Sequence, residues 1–197
     1  MDTHAPIVVT ELAPEEVAGN LRELGELLHA CVHDGASVGY VLPFVPEQAE
    51  AFWRDKVLPP VAAGTRVLWV ARVGGRTGGG IAGTVQLDLD TPPNQPHRAE
   101  VRKLLVHPGF RRRGISRLLM TALERKAVGL GRSLLTLDTR TGDVAEPLYT
   151  SLGYRIVGVI PGYCRDPFAD HLDPTTIMYK ALQQCARQQR QDDEHRG

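Results

Sequence analysis

Cysteine is scarce. The 197 residues hold three, Cys31, Cys164 and Cys185, and no two form a C-x-x-C pair. A scattered, odd-numbered set excludes a disulfide framework and a cysteine-built zinc site. Net charge is also missing: 23 Lys and Arg balance 23 Asp and Glu. General nucleic-acid binders carry a clear basic excess, so that class is disfavoured. No stretch is apolar enough to span a bilayer, and "MDTHAPIVVTELAPEE" lacks the basic start and apolar run of a signal peptide. These absences lead us to expect a soluble, reduced, cytoplasmic protein. His29 and His33 are spaced i, i+4, but no third ligand follows at recognisable spacing, so no metal is expected. Neither the G-K-[ST] of a Walker loop nor a G-x-G-x-x-G fingerprint occurs.

What is present is a chain 42% hydrophobic, long enough for one well-cored domain, with no internal repeat or splitting linker. "IVVTEL" reads as a strand. "APEEVAGNLRELGELLHACVH" has helical spacing at Val17, Leu21, Leu24, Leu28 and Cys31, with Pro14 suited to the first turn. "PEQAEAFWRDKVLPPVAAG" reads as a second helix ending near Pro59-Pro60. "RVLWVARV" and "GGIAGTVQLDLD" form a hairpin across "GGRTGG". "AEVRKLLVHP" is a strand and "GISRLLMTALERKAVGLG" a long amphipathic helix. "SLLTLDTR" is a strand expected to be buried on both faces. A short helix at "GDVAEPLYTSLG" and strands at "YRIVGVIPGYC" and "TTIMYKAL" follow. The order βααβββαβαββ places one mixed α/β domain over residues 6–182. Residues 183–197 read as a polar, frayed tail.

The most informative stretch is "FRRRGIS", between a strand and the long helix. A helix start offers unpaired N–H groups and the positive end of a dipole. Gly114 lets the backbone turn and approach a ligand, and Ser116 is small. Arginines add charge and forked donors. On a neutral protein this combination points to a small anionic ligand, a pyrophosphate above all.

Arg111-Arg112-Arg113-Gly114-Ile115-Ser116, at that junction and in that order of elements, resembles the GNAT acetyltransferases, whose signature is [QR]-x-x-G-x-[GA]. Ser116 replaces the final Gly or Ala. "AEPLYTSLGY" resembles the family's second signature, with Gly142 where an Asn is frequent. "DGASVGY", "RAEVRKLLV", "LDTRTGDVAEPLY" and "IPGYC…LDPTTIMYKAL" resemble the tabtoxin-resistance branch, whose members acetylate a β-lactam amino acid. The resemblance implies the GNAT acyl-CoA N-acyltransferase fold: a mostly antiparallel central sheet, flanked by helices, with a parallel splay between the fourth and fifth strands. It also implies acetyl-CoA as cosubstrate. Backbone groups of Leu104, Leu105 and Val106 would pair with the pantetheine, the Val106 N–H would face the oxyanion, and Arg111 to Ser116 with Arg117 would hold the pyrophosphate.

Acetyl transfer needs a base for the ammonium, donors for the oxyanion and an acid for the thiolate. Glu100 lies in a strand expected to be interior, where a carboxylate is unusual, and alternation sets it beside Arg102. Asp138 closes the apolar run of the next strand. The resemblance implies that these two act on the acceptor amine and that Tyr149 protonates the leaving thiol. Ser37, Tyr40 and Tyr163 are the polar candidates to border the acceptor pocket, while Trp53 and Trp69 read as core. The expected partner is a small-molecule amine, not nucleic acid or membrane, and the resemblance allows a homodimer. A peptide acceptor and a silent acyl-CoA-binding module are the competing readings.

Overall fold

The computed structural model describes residues 5–74 and 79–182. The tail at 183–197 and residues 75–78 of the glycine-rich turn lie outside them. Seven strands form one sheet: β1 (Ile7–Glu11), β2 (Arg66–Val73), β3 (Ile81–Asp88), β4 (Arg98–Val106), β5 (Leu134–Arg140), β6 (Arg155–Arg165) and β7 (Leu172–Ala181). Their order is β1-β2-β3-β4-β5-β7-β6. Every neighbouring pair is antiparallel except β4–β5. The expected fold class is therefore observed.

The first helix differs from expectation. It breaks at Asn20 into α1 (Pro14–Gly19) and α2 (Leu21–His33). Asn20 turns its side chain to other work: its amide donates to the Glu16 carbonyl at 2.7 Å and accepts from Arg72 at 2.6 Å. Short amide side chains compete in this way with helical bonding. The second helix is also divided, into α3 (Pro46–Phe52), a π-helical turn at Trp53–Val57 and α4 (Leu58–Ala62). It runs past Pro59-Pro60 because both prolines occupy the first turn of α4, where a helix needs no N–H donor.

Two apolar layers sandwich the sheet. On one face, α5 (Ile115–Gly129) and α6 (Ala145–Ser151) pack Leu119, Met120, Leu123 and Tyr149 against Val85, Leu87, Val101, Leu135 and Leu137. On the other, α2 to α4 pack Leu24, Leu28, Trp53 and Val57 against Leu68, Val70, Ile81 and Leu105. Trp53 and Trp69 are buried. Each fully buried leucine stabilises the fold by about 1.5–3 kcal/mol. The second layer contains no residue of β5. That corrects the expectation for "SLLTLDTR": only Leu135 and Leu137 are buried, Thr136 is half-buried, and Asp138 is exposed on the uncovered face.

β3 is buried along its whole length. At Gly83 it lets the start of α5 approach the sheet. A Cβ there would lie 2.8 Å from the Leu105 carbonyl oxygen and 2.9 Å from Ile115 Cγ2. Gly83→Val is therefore expected to destabilise the protein by about 1–3 kcal/mol through overpacking. The measurement is thermal unfolding, with an expected fall in Tm of about 2–10 °C; an unchanged Tm would show that α5 can withdraw from β3 without cost.

Candidate active site

β4 and β5 share only the register pairs Arg98↔Leu134, Ala99↔Leu135 and Glu100↔Thr136. Beyond Glu100 they part. β5 remains paired with β7 as far as Arg140, and β4 with β3 as far as Val106. A bulge helps to separate them. Lys103 has φ 50, the β3–β4 register shifts between Thr84 and Gln86, and Thr84 Oγ1 donates to the Lys103 carbonyl at 3.2 Å. Further along, the His107 N–H donates to the Ala82 carbonyl of β3 at 2.9 Å. Backbone groups alternate along a strand, so the Val106 N–H turns to the opposite edge, the side of the splay. The Val106 carbonyl accepts from the Cys31 thiol at 3.5 Å, and burial pushes that thiol's pKa up to about 12.

The arginine loop follows at once. His107 Nδ1 accepts from the Gly109 N–H at 3.1 Å and caps a 3-10 turn at Pro108–Phe110. Arg112 and Gly114 then adopt left-handed backbone, with φ 62 and 79. The amides from Arg112 to Arg117 donate to no backbone or side-chain acceptor among the described residues; the next amide, Leu118, closes onto the Gly114 carbonyl at 3.1 Å. Six successive free N–H groups at a helix start form an anion cradle. The arginine side chains divide their work. Arg111 pairs with Asp34, Arg117 donates to Ser151 Oγ at 2.9 Å, and Arg113 lies over the Phe110 ring.

The candidate catalytic side chains gather around the splay. Glu100 is 31% exposed and pairs with Arg102 at 3.0 Å; Arg102 reaches Asp88 at 3.2 Å, and Asp88 binds Arg66 at 2.6 Å. Asp138 has no cation within 4.0 Å among the described residues; its neighbour is the Thr175 hydroxyl, at 3.4 Å. Tyr149 is buried on α6, edge-on to Tyr154 at 5.7 Å. Burial first, then the charges of Asp138 and Asp143, hold its phenol well above the ordinary range, so it stays protonated.

The loop from Asp34 to Val45 meets the β6–β7 hairpin. Ser37 Oγ contacts Cys164 Sγ at 3.3 Å, Leu42 N–H donates to the Pro167 carbonyl at 3.0 Å, and Phe168 packs on Gly35. Tyr40 is half-buried against Phe44, and burial raises its pKa. Tyr163 is not brought to this loop: it is 52% exposed on the sheet's edge strand, and alternation turns its neighbour Cys164 inward instead. Arg140, at the end of β5, ties the hairpin down through Asp143 at 3.5 Å, Asp166 at 3.4 Å and Asp173 at 3.5 Å.

Comparison with known proteins bears on this geometry. The sequence profile of the Acetyltransferase (GNAT) family matches residues 32–154. The chain belongs to the GNAT family. An uncharacterized N-acetyltransferase from the hisH-hisA intergenic region of Azospirillum brasilense is 32% identical over 131 residues, which is 66% of this chain and 73% of that protein. A GCN5-related N-acetyltransferase from Kribbella flavida superposes with TM-score 0.70 at 21% identity, covering 89% of this chain and 98% of the other. A Salmonella typhimurium protein solved with its cofactor acetyl-CoA gives 0.69 at 15% identity, covering 91% and 96%. The sheet of this GNAT protein is mixed and seven-stranded, and the protein is an acetyltransferase. No helix among the described residues is long and apolar enough to cross a membrane.

Lys103 belongs to neither signature of the sequence, although two consecutive polar residues, Arg102 and Lys103, break the alternation and signal a bulge. Its ammonium donates to the Val38 carbonyl at 2.6 Å and lies 5.5 Å from the Phe52 ring centroid. Burial, then the charge of Arg102, lower its pKa from 10.5 to about 8. Between those values the unfolded chain holds the proton more tightly than the fold does, so this group's contribution to stability rises with pH across the window. In Lys103→Met, denaturant titrations from pH 7.5 to 10.5 should lose that increment relative to wild type; parallel curves would contradict the burial. Arg140→Met is expected to cost about 2–3 kcal/mol by leaving three carboxylates facing one another. Adding Asp173→Asn to it should restore part of that loss in the same measurement.

Proposed function

We propose that this acetyltransferase moves the acetyl group of acetyl-CoA to the amine of a small molecule, an amino-acid-like antimetabolite of the kind that tabtoxinine-β-lactam represents, and so detoxifies it. The observation that carries the cosubstrate is the run of six free amides directly after the open edge of β4. The cradle fits a pyrophosphate, and the unpaired edge at Leu104 to Val106 fits the amide groups of a pantetheine arm as an added strand would. The hairpin packed against the Asp34–Val45 loop favours a small acceptor over a peptide, which needs an open groove. The three-cysteine composition fits work in the reducing cytoplasm. A homodimer is compatible with this reading.

Acetyl-CoA supplies a thioester carbonyl as electrophile. Asp138 and Glu100 serve as the base for the acceptor ammonium, directly or through water, because only the free amine attacks. Asp138 is the better placed in charge terms, since no cation holds it, whereas Glu100 is engaged by Arg102. The Val106 N–H stabilises the oxyanion. Tyr149, protonated in its buried place, donates a phenol hydrogen bond to the departing sulfur as the acid of the reaction.

Thiol release from acetyl-CoA, followed across free amino acids, tabtoxinine-β-lactam, simple amines and peptides, tests this reading. Turnover is expected on at least one small amine. Asp138→Asn and Glu100→Gln should lower it by about 10²–10⁴-fold where they remove the base, with acetyl-CoA binding retained. Tyr149→Phe should lower kcat by less. Gly114→Val, which strains a left-handed residue in the cradle, should raise KM for acetyl-CoA by about tenfold or more. Turnover on peptides alone would favour a protein acceptor, and tight binding without turnover would mark a silent module.

A further inference from the structure

Lys103 is a cation built into the acceptor end of the splay without a counterion. It occupies the left-handed region at φ 50, a conformation that strains a residue with a Cβ. No carboxylate among the described residues comes within 4.0 Å of its ammonium, which donates one hydrogen to the Val38 carbonyl at 2.6 Å and faces the Phe52 ring. An ammonium carries three donors, so two remain without a protein acceptor among the described residues. Removing a charge from water without a partner is expensive, and its depressed basicity reflects that cost. Arg102 and Arg66 push the same way; the Asp138 charge alone opposes them.

Asp138 is the mirror case. It is a carboxylate with no cation within 4.0 Å among the described residues, beside the Thr175 hydroxyl at 3.4 Å, whose single hydrogen it shares with the nearer Thr139 carbonyl at 2.9 Å. Lys103 and Asp138 stand on the two strands that part from each other. The Asp138 charge reaches Lys103 from beyond 4.0 Å, so it acts on the ammonium without pairing with it. Two such groups are complementary to a zwitterion, whose ammonium belongs beside the carboxylate that removes its proton and whose carboxylate belongs beside the lysine. The bulge in β4 serves this end, since regular alternation would not give both Arg102 and Lys103 the same outlook from the strand.

We propose that Lys103 holds the carboxylate of the acceptor, with the Val38 carbonyl orienting its ammonium, and that the enzyme thereby selects amines that carry a neighbouring carboxylate. This rests on the reading of the β4–β5 splay as the acceptor site. The competing role for Lys103 is a latch that merely fixes the Asp34–Val45 loop. A latch predicts equal losses on charged and uncharged acceptors; a carboxylate site does not.

The test pairs amino acids with the amines left when their carboxylate is removed: ornithine with putrescine, phenylalanine with phenethylamine, histidine with histamine. In kinetics, Lys103→Met should raise KM for the amino acids by about ten- to a hundredfold, the span of a lost charge-assisted hydrogen bond. The decarboxylated amines should lose far less than their amino acids, and Lys103→Arg should recover part of the amino-acid loss. In parallel, NMR of the full protein with 15Nζ-labelled lysine, the Lys103 signal assigned by its loss in Lys103→Arg, reads binding without turnover. Millimolar amino acids should move that signal and raise its titration midpoint, and the amines should not. A Lys103 signal that no amino acid moves overturns the proposal. So does an equal loss on both members of each pair, or a wild type that prefers the decarboxylated amines. If no small amine is acetylated while the signal responds to amino acids only, the carboxylate site stands and the transfer to small amines fails instead.

Discussion

Two parallel strands that begin to pair would ordinarily continue, because every further residue exchanges backbone bonds at little additional entropy. β4 and β5 stop after Glu100↔Thr136, and the site exists because they stop. Two constraints enforce the parting. β5 is committed to β7 along its whole length, and β4 follows β3 through a bulge that re-aims it. The backbone groups so released on β4 cannot remain dry and unpaired, since a buried orphan amide costs more than a net hydrogen bond gains. An open strand edge at the centre of a sheet therefore calls for water or an extended ligand. The cradle at the start of α5 repeats the same logic two residues beyond the 3-10 turn, and Gly83 is what allows α5 to begin there.

Charge is distributed so that rigidity and reactivity fall on different groups. Glu100, Arg102, Asp88 and Arg66 form one chain of pairs across β2, β3 and β4. Arg140 gathers three aspartates at the end of β5, and Arg111 binds Asp34. These networks hold the walls in register. Asp138 and Lys103, between them, are left without an oppositely charged partner within 4.0 Å among the described residues, and unpaired charge is what a ligand can use. The zero net charge of the chain fits this arrangement: the arginine loop acts at short range, within a Debye length of about 8–10 Å, and not as a long-range field.

The strand-to-helix junction was legible because its signals are local. A glycine needed for a left-handed residue, a small residue behind it and an amphipathic helix after it all lie within a few positions of Arg111. The break at Asn20 was not legible, because its cause is a hydrogen bond to Arg72, 52 positions away. The one-sided burial of β5 was hidden for a similar reason: nothing in "SLLTLDTR" tells that α2 to α4 stop short of it. Which residue of "PGYC" meets the loop was not legible either: Cys164 contacts Ser37, while its neighbour Tyr163 is exposed. Lys103 was the costliest omission, and the two adjacent polar residues of "EVRKLL" were the available clue.

In the proposed reaction Asp138 does more than accept a proton. Its negative charge is one of the influences that hold the Tyr149 phenol above its ordinary range, and it is the one that sustains the Lys103 ammonium. Once Asp138 takes the acceptor's proton, that charge disappears. Tyr149 then becomes a stronger hydrogen-bond donor just as the thiolate begins to leave. A free alkyl thiol has a pKa near 8.5, below that of a buried phenol, so Tyr149 assists the departing sulfur mainly as a hydrogen-bond donor rather than by full transfer. In that proposed reaction Asp138 is the group whose change of charge connects deprotonation of the acceptor with departure of the thiol.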